Sequence, residues 1–319
     1  MKRYKNLPIL TRADVRSTLP HLHDVSSIFN PGAIKFEDQF ILLARVQNRG
    51  RETFTMVARS NDGIHFNLAA EDIVFSGIDA CGLEIFHCYD ARITEIEGRF
   101  LIMFAMDTND GCRLGLAQTD DFIHFTFLGV TSGDDTRNGV LFPEKINGRY
   151  ARFERPNAIP LSGGPTSGNT ICYATSDDLL NWESPRPVAS GRDHYWDELI
   201  GSGPPPIKTR QGWLHIYHGV ATHFSSANIY QAGVMLHDLK NPEQVIARGR
   251  YNILEPREVW ECMGQVPNVV FPSGAIVHDF DEEGYALETS EVFVYYGAAD
   301  TVIGMATTTI AALIKATGL

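Results

Sequence analysis

The chain has little of what marks a secreted, metal-binding or nucleic-acid-binding protein. Its five cysteines, Cys81, Cys88, Cys112, Cys172 and Cys262, are odd in number and scattered, with no CxxC pair. That pattern argues against a disulfide framework and against a Cys/His zinc site, and it fits free thiols in a reducing cytoplasm. No metal ligand set is expected anywhere. No window approaches the ~18 uninterrupted apolar residues of a membrane span. The start, Met1-Lys2-Arg3, is basic, but no hydrophobic stretch follows it, so it does not read as a secretory signal. There is no Lys/Arg cluster with interleaved aromatics, and the formal net charge is −12. Nucleic acid and anionic membranes are therefore disfavoured as partners. Long helical periodicity is also missing, and only the tail from Thr301 to Leu319 leaves room for a short helix.

What is present is repetition. A polar turn followed by an aromatic and a short alternating strand occurs at Glu37-Asp38-Gln39-Phe40, Glu97-Gly98-Arg99-Phe100, Asn147-Gly148-Arg149-Tyr150 and Gln211-Gly212-Trp213. A weaker copy lies at Glu283-Gly284-Tyr285, with its strand at Glu291 to Gly297. A second motif interleaves with the first: an acidic turn ending in Phe66, Phe125 or Trp182, spaced 59 and 57 residues apart. Strands and turns at a fixed period of this length are the pattern of propeller blades. Spread over 319 residues, the period predicts an all-β, five-bladed β-propeller. It forms one domain over residues 1–319, with a short N-terminal extension and a C-terminal tail. A β-sandwich is the alternative, but it would not repeat its turn at a fixed spacing.

The repeat has a functional corollary. Five residues on from the aromatic that opens each strand stand Arg45, Ala105, Arg155 and His218. Blades around an axis bring such positions to one mouth of the channel. They are either solvated strand ends or the wall of a pocket for a hydroxyl-rich or anionic ligand. Upstream of Ala105 lies His87-Cys88-Tyr89-Asp90-Ala91-Arg92. Its acid either exchanges a proton with a substrate or merely caps a turn and pairs with Arg92.

Several longer motifs follow in order: Tyr89-Asp90-Ala91-Arg92, Arg137-Asn138-Gly139 through Pro143, Arg155-Pro156, Gly212 through Val220, and Glu261 through Pro272. Together they resemble glycoside hydrolase family 130, the five-bladed mannoside phosphorylases and β-mannosidases. The resemblance implies activity on β-linked mannosides with inversion, self-association, and no cofactor beyond inorganic phosphate as co-substrate in a phosphorylase. Asp90 stands where the family's general acid stands, passing its proton through the 3-hydroxyl of the bound mannose. Asn30, Arg45, Arg137, Asn138, Arg155, His218 and Asp300 stand at positions that line mannosyl and phosphate subsites. Glu258 and Glu261 fall on acids that the phosphorylases share. Tyr89, His87, Trp196 and Trp260 are candidates for stacking on sugar faces or for core packing. His223 and His237 read as structural or surface histidines.

The sequence departs from the phosphorylase pattern at Pro31, at Glu144 and at Glu198-Leu199, where Leu199 replaces a lysine. Losing a cation and gaining a carboxylate weakens dianion binding. One unit charge at ~4 Å is worth about 4 kcal/mol at an effective dielectric of about 20, an upper scale. On this ground hydrolysis is expected, with Glu198 activating water, and phosphorolysis is the alternative. A non-catalytic sugar-binding propeller is a further alternative, separable by Asp90→Asn. A protein-interaction propeller would need exposed apolar patches instead of polar strand ends. The linkage, aglycone and chain length depend on inter-blade loops and are not read from the sequence.

Overall fold

A computed structural model describes residues 1–5, 7–160, 166–223 and 227–319. The strand Gln39–Gln47 shows how the architecture arises. Phe40, Leu42 and Ala44 point to one face and join Phe293, Tyr295 and Met305, while Ile41 and Leu43 point to the other and join Ile93, Ile102 and Phe104. Successive side chains of a strand alternate between faces, so a strand that is apolar on both must lie between two sheets. The other seams repeat the pattern. Phe142 and Phe153 pack with Trp213 and Tyr217, and Leu214 and Leu236 with Val292 and Val294.

Five of the six sheets among the described residues are blades; the sixth is a two-stranded pair, Ile159–Pro160 with Thr166–Ser167. Blade I comprises Ser27–Phe36, Gln39–Gln47, Thr53–Ser60 and Asn67–Asp72. Blade II comprises Ile85–Ile96, Arg99–Thr108, Gly111–Thr119 and Phe125–Val130, with Phe75–Ser76 added in parallel outside. Blade III comprises Thr136–Leu141, Tyr150–Pro156, Thr170–Ser176 and Arg186–Ser190. Blade IV comprises Leu199–Ser202 and Ile207–Thr209 at its inner edge, then Gly212–Ala221, Ile229–His237 and Val245–Arg248. The break in that edge falls on Pro204-Pro205-Pro206, which have no N–H for the ladder. Blade V comprises Val270–Val277, Glu291–Ala298 and Val302–Thr309. Its outermost strand is Lys2–Arg3 from the other end of the chain, Lys2 opposite Thr307 and Arg3 opposite Ala306. The expected helix is Ile310–Thr317, whose Ile310 and Leu313 cover blade IV and V core residues. Among the described residues no helix is long and apolar enough to cross a membrane.

The acidic turns share one hydrogen-bond design. Asp62 Oδ1 accepts the N–H groups of Ile64 and His65, Asp121 Oδ1 those of Ile123 and His124, and Asp178 Oδ1 those of Leu180 and Asn181. These bonds hold all three carboxyls well below the usual carboxylate range. Blade IV carries a fourth copy that its sequence hides. There Asp238 Oδ1 accepts from Lys240 and Asn241, with Pro242 in place of the aromatic.

The first strand of each blade lines the axis, and in blades I, II, III and V it carries a bulge. Register slips between Phe29 and Gly32, Tyr89 and Arg92, Arg137 and Val140, and Pro272 and Gly274. Within the first three slips Asn30, Asp90 and Asn138 take left-handed φ of 46°, 56° and 53°. A bulge re-aims a side chain. With Ser202 and Ser273 at the matching places in blades IV and V, these form a ring of short polar side chains in which Asp90 alone carries a carboxyl.

Candidate active site

The ring opens into a cavity of about 430 Å³ at one mouth of the propeller. Arg45, Ala105, Arg155 and His218 all line it. The equivalence counted from the aromatics is real in register: they pair across the ladder with Phe29, Tyr89, Arg137 and Gly201, immediately before the ring positions. Asn30, Tyr89, Asp90, Arg137, Asn138 and Asp300 face the same space.

Asp90 is fixed from blade I. Its Oδ1 accepts Asn30 Nδ2 at 3.0 Å and Arg45 Nη1 at 3.2 Å. Arg45 in turn lies between two rings, its guanidinium carbon 4.6 Å from the centroids of both Phe29 and Tyr89. A carboxyl gripped on one oxygen keeps the other for a substrate. Asp90 does not pair its carboxylate with Arg92, whose Nη1 instead donates to the Asp90 carbonyl oxygen at 2.8 Å. Asp300 sits in the tight turn between the last two strands, where Ala299 and Asp300 both have positive φ. Burial pushes its carboxyl up to about 6, Asp90 adding to the effect and Arg45 opposing it.

Blade III supplies two further arginines beside Arg45 of blade I, and blade IV supplies an imidazole. Arg155 is buried, its Nη2 donates to Asn157 Oδ1 at 3.3 Å, and its Nε finds no partner. Burial pushes it down to about 10, and Arg137 adds to the effect against the phenol of Tyr230. Burial also works against the charge of Arg137, but Tyr89, Cys112 and Asp107 outweigh it and raise its pKa. His218 is held well below the ordinary imidazole value by burial and then by Arg155 and Arg92, so it is neutral, with Nδ1 unpaired. Two desolvated guanidiniums in one pocket form a site for an anion with several oxygens, while the His218 ring is held by the Ser202 backbone.

Other expected residues lie elsewhere. Glu198 does not line the cavity. Its Oε2 accepts the N–H of Thr222 at 2.8 Å and also its hydroxyl, and its Oε1 accepts the N–H of His194 at 3.1 Å. The Thr222 hydroxyl is the first cause holding it below the usual carboxylate range, which makes it a poor base for water. Glu261 is fully buried and anchors a loop: it accepts from Arg3 Nε at 2.7 Å, from Tyr296 at 2.8 Å and from the N–H groups of Arg257 and Glu258. Glu258 caps the helix Val259–Cys262. That loop runs on to Val266 and Val269, which form part of the cavity wall. Glu144 pairs with Lys208 at 2.7 Å in a second cavity, of about 470 Å³, at the opposite ends of the inner strands. It does not disturb an anion at the first. Trp196 stacks on Tyr217 and Trp260 on Tyr296, so neither faces the cavity.

The sequence reading missed Asp107, Tyr230 and Phe271 in the lining. Asp107 Oδ1 accepts Tyr89 Oη at 2.7 Å and Arg137 Nη2 at 3.2 Å. Its signal was available: two positions beyond Ala105, it shares that residue's face of the strand.

A five-bladed propeller whose mouth joins a gripped carboxyl to buried arginines belongs to the carbohydrate-active propeller enzymes. The chain belongs to glycoside hydrolase family 130, whose family model, described as beta-1,4-mannooligosaccharide phosphorylase, matches residues 1–318. It is an enzyme acting on mannosides. It is 32% identical over 312 residues to a beta-1,4-mannooligosaccharide phosphorylase of Ruminococcus albus, covering 95% of this chain and 89% of that one. It is 34% identical over 327 residues to a beta-1,2-mannobiose phosphorylase of Thermoanaerobacter sp., covering 96% of each. The solved beta-1,2-mannobiose phosphorylase of Listeria innocua, in complex with beta-1,2-mannobiose, superposes with a TM-score of 0.85 over 99% of both chains at 26% identity. These relatives overturn the expectation of hydrolysis. That expectation rested on the cation lost at Leu199 and on Glu198 as the base for water, and Glu198 is bound to Thr222 and His194 instead. Among the described residues no group of three or more His, Cys, Asp or Glu is placed to hold a metal ion.

Proposed function

We propose that this enzyme is an inverting β-mannoside phosphorylase. The observation that carries the reading is the cluster of Arg137, Arg155 and neutral His218 in the cavity that also holds Asp90. Arg155 has no carboxylate partner among the described residues. A phosphate dianion supplies the charge the pair lacks, and its oxygens meet the unpaired donors of two forks. The lysine replaced by Leu199 is not needed for this, since the two guanidiniums converge without it.

The proposed chemistry follows. Phosphate, held by Arg137, Asn138, Arg155 and His218, attacks the anomeric carbon of the non-reducing mannosyl unit through one oxygen. The bond from that carbon to the glycosidic oxygen breaks on the opposite face, and the proton for the leaving oxygen comes from Asp90. The products are α-mannose 1-phosphate and the saccharide shortened by one unit. Asn30, Arg45 and Asp300 belong to the mannosyl side, next to Asp90. All five cysteines are free thiols, which supports a reducing, cytoplasmic setting.

The test is ³¹P NMR of reactions with β-1,4- and β-1,2-linked mannobiose, with and without inorganic phosphate. Mannose 1-phosphate forming only with phosphate is the expected result. Free mannose released at the same rate without phosphate would overturn the proposal.

A further inference from the structure

Arg92 is a cation in an unusual place. It is 1% exposed and lies on the propeller axis, and no carboxylate of the described residues pairs with its guanidinium. Its Nη1 donates to the Asp90 carbonyl at 2.8 Å, and its Nε donates across the channel to the Gly203 carbonyl of blade IV at 2.8 Å. Its guanidinium carbon stands 5.5 Å from the ring of Phe271 in blade V, a residue of the cavity lining. One side chain thus ties blade II to blades IV and V directly beneath the candidate acid. Nη2 makes no hydrogen bond at all.

A buried guanidinium without a paired acid is costly, and an apolar side chain would bridge the same space at lower cost. What an apolar residue would not supply is a hold on the main chain of Asp90. Asp90 has φ of 56° inside a register slip, a conformation that non-glycine residues avoid. The slip removes its carbonyl from the regular ladder, and Arg92 provides the bond that replaces it.

We propose that Arg92 is a positioning residue for the proton donor: it locks Asp90 in the left-handed bulge and sets the charge environment of its carboxyl from below. The proposal rests on the reading of Asp90 as the donor. Burial pushes Arg92 down to about 10, with the Asp90 charge opposing that, so it remains a cation at neutral pH. The other groups facing Asp90 are Asn30 and Arg45 from blade I and Asp300 from blade V, while His218 of blade IV faces Arg92. Arg92→Met leaves all of these in place and removes one positive charge from beneath the Asp90 carboxyl.

The experiment is the pH dependence of kcat for phosphorolysis in the parent, Arg92→Met and Arg92→Lys, with melting temperatures to establish folding. For Arg92→Met, kcat falls about tenfold or more and the alkaline limb moves up by roughly a pH unit, with KM for phosphate within about threefold of the parent. Arg92→Lys keeps the charge but loses the two-point tie, so kcat falls about tenfold while the limb stays near the parent's. A folded Arg92→Met with an unmoved limb, or Arg92→Lys with full kcat, overturns the proposal. Asp90→Asn, assayed alongside, tests the underlying reading separately: turnover surviving there removes Asp90 as donor whatever Arg92 does.

Discussion

Acid should loosen this propeller at the seam between blades III and IV, where two imidazoles are buried against Phe153. His237 Nδ1 lies 2.8 Å from the carbonyl of Pro242, which can only accept, so that nitrogen carries the proton. Neutral His237 then presents a bare Nε2, and His215 Nδ1, 3.3 Å away, must donate to it. Protonating His237 would set one N–H against another. Burial accordingly pushes His237 down from 6.5 to about 4, and His215 well down in the same direction. A histidine with a depressed folded pKa contributes its stability above the unfolded value and loses it as pH falls from 6.5 toward 4. Between pH 7 and 4.5 the loss at His237 integrates to roughly 2.5 kcal/mol, at about 1.4 kcal/mol per tenfold change. For a chain of 319 residues that corresponds to roughly 4 °C in melting temperature. Scanning calorimetry of the parent and of His237→Asn at both pH values isolates the contribution, because carboxylate effects are common to the two. The parent should lose about 4 °C more than the variant over that interval. Equal losses in both would refute the neutral-pair assignment.

Two further outcomes follow from the site. Glu198→Gln should leave kcat for phosphorolysis within about twofold of the parent, because its carboxylate is bound to Thr222 and His194 outside the cavity; a loss of activity beyond a hundredfold in initial-rate assays would contradict that placement. Arg155→Met should raise KM for phosphate by roughly 10- to 150-fold, the scale of one charge-assisted hydrogen bond of about 1.5–3 kcal/mol, with a smaller change in KM for the mannoside, as read from two-substrate kinetics.

The elements most legible in the sequence were those tied to the blade period. The aromatic that opens each second strand fixes register, so counting from it located Arg45, Ala105, Arg155 and His218 on one wall. What escaped depended on distances the chain does not encode locally. Glu198 looked like an acid aimed at phosphate because it precedes Leu199, yet its orientation is set by Thr222, a residue of the neighbouring strand's end. Glu261 sits in a motif shared with phosphorylases, but its partners are Arg3 and Tyr296, 258 and 35 positions away. Glu144 follows the Arg137 motif closely in sequence and opens on the other mouth, because the inner strand carries it across the thickness of the sheet. Blade IV's acidic turn was hidden since Pro242 replaced the aromatic, although the hydrogen bonds to Asp238 persist.

The pairing of Lys2–Arg3 with Val302–Thr309 makes the ring's last joint a contact between residues about 300 positions apart. Such distant contacts form late, because the loop they close must be ordered first. At a synthesis rate of ~5–20 residues per second the N-terminal segment waits tens of seconds for its partner strand. Until it docks, that partner shows a bare edge, and edges of this kind recruit other chains. The same segment delivers Arg3 to Glu261, and Glu261 holds the loop that ends in Val266 and Val269. The joint between the chain's two ends is thus tied, through Arg3 and Glu261, to the wall of the cavity itself.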